Sequence, residues 1–168
     1  FQPIVNNGTQ KVEKYESLVR LITEDGQLLT PAYFLETAKK GRYYTKITKI
    51  VLDDSFAALY RIPHASISIN LSMHDIEREE VTRYILNLLN QHREEAHRII
   101  FELLESEEIK DFLRIKKFIH AIKAQGVKIA IDDFGTGYSN FERLLSYEPD
   151  ILKIDGSIIK NIQNNKLN

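Results

Sequence analysis

Two rhythms alternate along the chain: short apolar runs with period two, and longer stretches with apolar residues three and four apart, which predict strands and amphipathic helices in turn. Phe1-Gln2-Pro3-Ile4-Val5 reads as a strand, Asn6-Asn7-Gly8 as a turn and Lys11 to Leu21 as a second strand, giving an antiparallel hairpin. Thr30 before Pro31 marks a helix start for Ala32 to Lys39, closed by Gly41, and a longer helix over roughly 45–60 carries Ile47, Ile50 and Val51 on one face. Strand and helix then alternate. Ser66 to Leu71, Arg98 to Leu103, Val127 to Asp132 and Ile151 to Asp155 read as strands. Between them lie a helix with Val81, Tyr84, Ile85, Leu88 and Leu89 at helical spacing, a helix from Ser106 to Gly126 that buries Ile115, Phe118, Ile119 and Ile122, and a short helix from Asn140 to Tyr147. A last helical turn or two starts near Ser157.

Strongly apolar strands separated by helices predict an α/β fold with a parallel sheet under helices, either doubly wound or closed into a barrel. Polar residues at the carboxyl ends of several successive strands favour a TIM-like (β/α)8 barrel, because such barrels assemble their sites from many strand ends. A barrel of this type takes roughly 250 residues. With 168 residues the expected architecture is an antiparallel first strand pair and about six of the eight barrel strands.

The strand ends supply Glu16, Asn70, Glu102, Asp132 with Asp133, and Lys153. Ser66, Ser68 and Asn70 share parity, as do Ile100 with Glu102 and Ala130 with Asp132, so these groups can face one interior. Carboxylates and an amide without imidazole or thiolate select Mg2+ or Mn2+ over zinc or copper. Adjacent Asp132 and Asp133 suit a two-ion site, whose characteristic reaction is in-line displacement at a phosphodiester. Lys153 would offset developing charge or position and deprotonate the attacking water. Each residue also has an ordinary reading: Asp132-Asp133 as a turn pair, Asn70 as a strand end, Lys153 as a snorkelling surface lysine, and Glu105, Glu107 and Glu108 as an acidic first helical turn. The five histidines share no ligand-like spacing. Asp133-Phe134-Gly135 echoes the kinase metal-binding triplet, but neither the glycine-rich loop nor the catalytic-loop triplet precedes it.

Composition narrows the picture further. A hydrophobic share of 43% supports one sizeable core, and a net charge of −1 offers no basic excess for a long nucleic acid. The absence of cysteine excludes disulfides and thiolate chemistry and fits a reducing, cytoplasmic setting. No apolar run reaches the ~18 residues of a membrane span and no signal peptide opens the chain, so no membrane contact is expected of this segment. Beginning at Phe1 in strand-like sequence, the chain reads as a piece of a longer protein.

Asp132-Asp133-Phe134-Gly135-Thr136-Gly137 resembles the hallmark of the EAL domain, a cyclic di-GMP phosphodiesterase of bacteria. Gln2-Pro3-Ile4 is similar to the family's opening Q-P-I, Glu16-Ser17-Leu18 stands at the name-giving E-A-L, and Asn70-Leu71-Ser72 matches N-L-S. Glu102-Leu103-Leu104-Glu105 resembles E-x-T-E and Leu152-Lys153-Ile154-Asp155 matches L-K-I-D. The resemblance implies that residues 1–168 are the N-terminal two-thirds of an EAL domain. It further implies hydrolysis of cyclic di-GMP to linear pGpG, with Glu16, Asn70, Glu102 and Asp132 on one Mg2+ or Mn2+ and Asp132 with Asp133 on a second. Glu16, Asp132, Asp133 and Lys153 would be catalytic, Gln2 and Arg20 would bind substrate, and Glu105 would anchor the loop after Asp133. Fusion to a sensor or GGDEF-type domain, a membrane-anchored parent and pairing into a homodimer through the region after Asp133 follow the same pattern. Ser17 for Ala and Leu104 for Thr are departures, and the chain stops before the family's last two strands, which implies impaired catalysis by this segment alone. A receptor that binds cyclic di-GMP without cleaving it is the alternative, and a scaffold that has lost the ligand is a third.

Overall fold

The computed structural model describes residues 1–104, 111–135 and 146–164. In chain order these form β1 (Gln2–Val5), β2 (Val12–Ser17), β3 (Leu21–Ile22), β4 (Leu28–Leu29), α1 (Pro31–Lys39), α2 (Tyr44–Leu59) and β5 (Ser66–Asn70). There follow α3 (Met73–Glu77), α4 (Glu79–Gln91), β6 (Ile99–Leu104), α5 (Phe112–Lys123), β7 (Lys128–Phe134), β8 (Ile151–Ile154) and a closing helix, Gly156–Asn164. Six strands make one curled sheet, a half-barrel, in the order β1-β2-β5-β6-β7-β8. Within this sheet the described pairs are parallel except β1–β2, which is antiparallel. The α/β half-barrel with its antiparallel opening is the expected fold.

Strand alternation divides the sheet into two surfaces. Ile67, Ile69, Phe101, Leu103, Ile129 and Ile131 lie in the main core with Leu52, Phe56, Ile85, Leu89 and Ile119 from the helices. The intervening positions carry Ser68, Asn70, Glu102, Ala130 and Asp132 along with Ile100 and Leu104. Ser68 pairs with Ile100, Asn70 with Glu102, Glu102 with Ala130 and Leu104 with Asp132 across the parallel ladder, so one row of the concave face carries the site residues.

Several expected boundaries are corrected. The second strand ends at Ser17 instead of running to Leu21, because Ser17 is buried and accepts a 2.9 Å hydrogen bond from the Ser55 hydroxyl of α2, which ties the strand end to the helix layer. Leu21–Ile22 instead pair with Leu28–Leu29 in a separate hairpin turned by Thr23 to Gln27, where the left-handed Gly26 (φ +83°) supplies the bend. The helix assigned to start at Ser106 begins at Phe112, with Asp111 accepting from the Arg114 amide at 3.0 Å as its cap. Ser106 lies outside the described residues, as does most of the helix expected over Asn140 to Tyr147. Helix α3 was not legible: its five residues are too few for a periodic signal, and Ser72 with Asp75 forms its capping box.

Candidate active site

The carboxyl ends of β2, β5, β6, β7 and β8 bring Glu16, Asn70, Glu102, Asp132 and Lys153 to one rim. Carboxylate oxygens of Glu16, Glu102 and Asp132 lie within 4.8 Å of one another. The Lys153 ammonium donates to Glu102 Oε2 at 2.6 Å and Asp132 Oδ2 at 2.9 Å, and stands 3.6 Å from Glu16 Oε2. Asn70 Nδ2 donates to Glu16 Oε1 at 3.0 Å, leaving its carbonyl oxygen as the donor atom it can offer a cation.

Like charges this close repel, and one ammonium cannot neutralise three acids. Glu102 feels this most, with a fully buried side chain. Burial pushes its carboxyl above the ordinary glutamate range despite the favourable pull of Lys153. Burial works in the opposite sense on Lys153, but its hydrogen bonds to Asp132 and Glu102 outweigh that and hold the ammonium charged well above the usual lysine value. The two shifts are consistent: the acid carries the desolvation cost while the ammonium gains several partners. Glu102 Oε1 is buried without a hydrogen-bond partner among the described residues, and so is Ser68 Oγ, although the Ser68 hydroxyl is near enough to favour the Glu102 anion. An unpartnered buried carboxylate oxygen beside two more acids is a donor set that fits a divalent cation.

Asp133 is not one of the three converging acids, but it is near enough to feel the charges of Lys153 and Glu16. In a regular strand, adjacent Asp132 and Asp133 would point to opposite faces. Here the β7–β8 register shifts between Ile131 and Phe134, and Asp133 takes a left-handed backbone with φ +54°. A non-glycine residue in that region costs up to about 1–2 kcal/mol, and Asp, with its short polar side chain, is among those that enter it most readily. Burial, then the charges of Asp132 and Asp155, raise the Asp133 carboxyl, and Lys153 and Glu16 also act on it. Asp155, one residue past the end of β8, is the further acid whose charge acts on Asp133. Its carboxylate accepts from the Ser157 amide at 2.8 Å, which lowers its pKa and caps the closing helix.

Of the remaining expected residues, Gln2 lies exposed directly across the β1–β2 ladder from Glu16, so both side chains share a face. Arg20 is exposed beyond the end of β2, with Nη1 donating to its neighbour Val19's carbonyl at 2.9 Å. Glu105 falls outside the described residues. Leu104 lines an apolar recess of about 250 Å³ beside Asn70, with Leu18, Val19, Leu35 and Val51.

A half-barrel whose strand ends gather acids, an amide and a lysine on one rim defines the class, and the whole chain, residues 1–168, matches the family model described as the EAL domain. This protein belongs to the EAL domain family. It is 32% identical over 157 residues to the cyclic di-GMP phosphodiesterase PdeF of Escherichia coli, covering 91% of this chain and 21% of that protein. It is also 32% identical over 168 residues to the signaling protein YkoW of Bacillus subtilis, covering 97% of this chain and 21% of that one. The chain thus spans about a fifth of the length of these relatives. Among solved structures, the PaMucR phosphodiesterase in complex with c-di-GMP superposes with a TM-score of 0.81 at 30% identity, over 99% of this chain and 70% of that one. No helix of the described residues is long and apolar enough to cross a membrane.

Proposed function

We propose that this domain, in its parent protein, hydrolyses cyclic di-GMP to linear pGpG with the help of Mg2+ or Mn2+. The observation that carries the reading is the convergence of Glu16, Glu102 and Asp132 within 4.8 Å, closed by Lys153 and Asn70. Glu16, Asn70, Glu102 and Asp132 would hold one ion, and Asp132 with Asp133 a second. Bound there, the ions would supply Lewis-acid activation and charge neutralisation at the phosphodiester. Lys153, held charged, orients a water and offsets negative charge gathering on the phosphoryl oxygens. Arg20 offers a guanidinium fork to a phosphate, and Gln2, on the Glu16 face, contacts substrate from the sheet edge. Glu105 would anchor the loop that follows Asp133, and that loop would join two copies into a dimer. That the chain spans about a fifth of these relatives' length supports fusion to a sensor or GGDEF-type domain.

The test is hydrolysis of cyclic di-GMP by the full-length protein in Mn2+, with the product identified by chromatography. Linear pGpG, lost in Glu16→Ala and Lys153→Ala, is the expected result. Binding without cleavage in either Mg2+ or Mn2+ would replace this reading with that of a receptor, which Leu104 at the family's threonine position favours.

A further inference from the structure

Beside Asn70, lining the same recess, lies a buried polar cluster. Asp75 is 2% exposed. Its carboxylate accepts four hydrogen bonds: from the hydroxyls of Ser72 (2.6 Å), Thr48 (2.8 Å) and Tyr44 (2.9 Å), and from the Ser72 amide (3.1 Å). A capping box for α3 needs only Ser72 and Asp75. The surplus comes from the first turns of α2, where every hydroxyl is committed to this interface. Tyr44 and Thr48 bind Asp75, and Thr45 accepts from Arg78 at 2.5 Å. The Arg78 guanidinium also lies over the Tyr44 ring at 5.7 Å, and the His74 ring packs on Tyr44 at 5.6 Å.

A five-residue helix does not hold itself in place, and an ionised carboxylate is costly to bury unless fully hydrogen-bonded. What the arrangement secures is the chain between β5 and α3. Ser72 is held by Asp75 and Tyr44, Leu71 is buried and donates its amide to the Glu102 carbonyl at 2.9 Å, and the residue before it is Asn70. We propose that Tyr44, Thr48 and Asp75 form a positioning brace that fixes the Asn70 amide at the rim, so that its oxygen meets a divalent cation while its nitrogen holds Glu16. The proposal rests on the metal role given to Asn70 above.

The test is Mn2+ titration by calorimetry of the full-length protein and three variants: Tyr44→Phe, Thr48→Val and Thr48→Ser. Residues that orient metal ligands typically influence affinity by about 10–100-fold, and Tyr44→Phe and Thr48→Val should each weaken Mn2+ binding on the order of ten-fold. Thr48→Ser keeps the hydroxyl and should bind as the wild type does. Ile85→Val, in the outer core, controls for lost stability alone. The brace is overturned if Tyr44→Phe and Thr48→Val bind Mn2+ as the wild type does, or weaken it no more than Ile85→Val. Should the wild type take up no Mn2+, the metal reading of the site falls. The brace is then decided by the Asn70 side-chain amide signals in nuclear magnetic resonance: broadened in Thr48→Val if the brace holds Asn70, unchanged if it does not.

Discussion

Phe101 and Glu102 are neighbours in β6, both almost wholly buried, and they belong to different surfaces. The face carrying Phe101 is saturated with apolar contacts from α2, α4 and α5, so it sets the stability of the fold. The face carrying Glu102 holds like charges together and leaves a buried oxygen without a hydrogen-bond partner among the described residues, so it spends stability on chemistry. A strand with period two places such residues side by side at no topological cost.

Exchanging one residue on each face breaks the comparison most sharply. Glu102→Gln keeps the shape and removes the buried charge. The loss in Mn2+-dependent turnover should exceed the ~10–100-fold typical of a residue lying behind a metal ligand, with little loss of thermal stability. Phe101→Ala should do the reverse, lowering unfolding free energy by about 3–5 kcal/mol in chemical denaturation while turnover per folded molecule is kept. If Glu102→Gln unfolds the protein or Phe101→Ala abolishes turnover in the folded fraction, the division of labour is wrong.

A smaller effect is expected where the two surfaces meet. Gly135 has φ +96°, and a Cβ there would stand 2.2 Å from Ile158 Cδ1 of the closing helix. Gly135→Ala should cost about 1–2 kcal/mol from the left-handed backbone, with the flexible Ile158 tip yielding. Thermal melts would measure it, and an unchanged melting temperature would argue against this turn.

The smallest effect is on pH dependence. Glu102 and Asp133 have raised pKa values in the folded state, so their charged forms oppose folding at neutral pH. That penalty is relieved as pH falls through the folded values towards the ordinary 4.5 and 3.8. A divalent cation needs the anions. The Mn2+-induced rise in melting temperature should therefore shrink as pH falls towards those ordinary values. A rise that stays constant as pH falls would contradict the placement of these acids around the ion.

Much of this site was legible before any coordinates: β5 alternates, and Glu102 and Asp132 interrupt the otherwise apolar runs of β6 and β7 at a parity that sends them, with Asn70, to one side. What escaped the reading depends on departures from regularity. Asp133 comes within the field of Lys153 and Glu16 through a left-handed residue at a register shift, which no period reports. Leu18, Val19 and Leu21 prolong a strand-like pattern past Ser17, but the Ser17–Ser55 hydrogen bond marks where β2 leaves the sheet, and that bond links residues 38 apart. The Asp75 brace was invisible for the same reason, since Tyr44 and Thr48 meet it from 31 and 27 residues away.

The most direct measurement is anomalous diffraction from crystals of the full-length protein soaked in Mn2+. A manganese peak is expected within coordination distance of Glu16, Asn70, Glu102 and Asp132, with a second beside Asp133. Manganese absent from this rim, or bound elsewhere while cyclic di-GMP is still cleaved, would contradict this expectation.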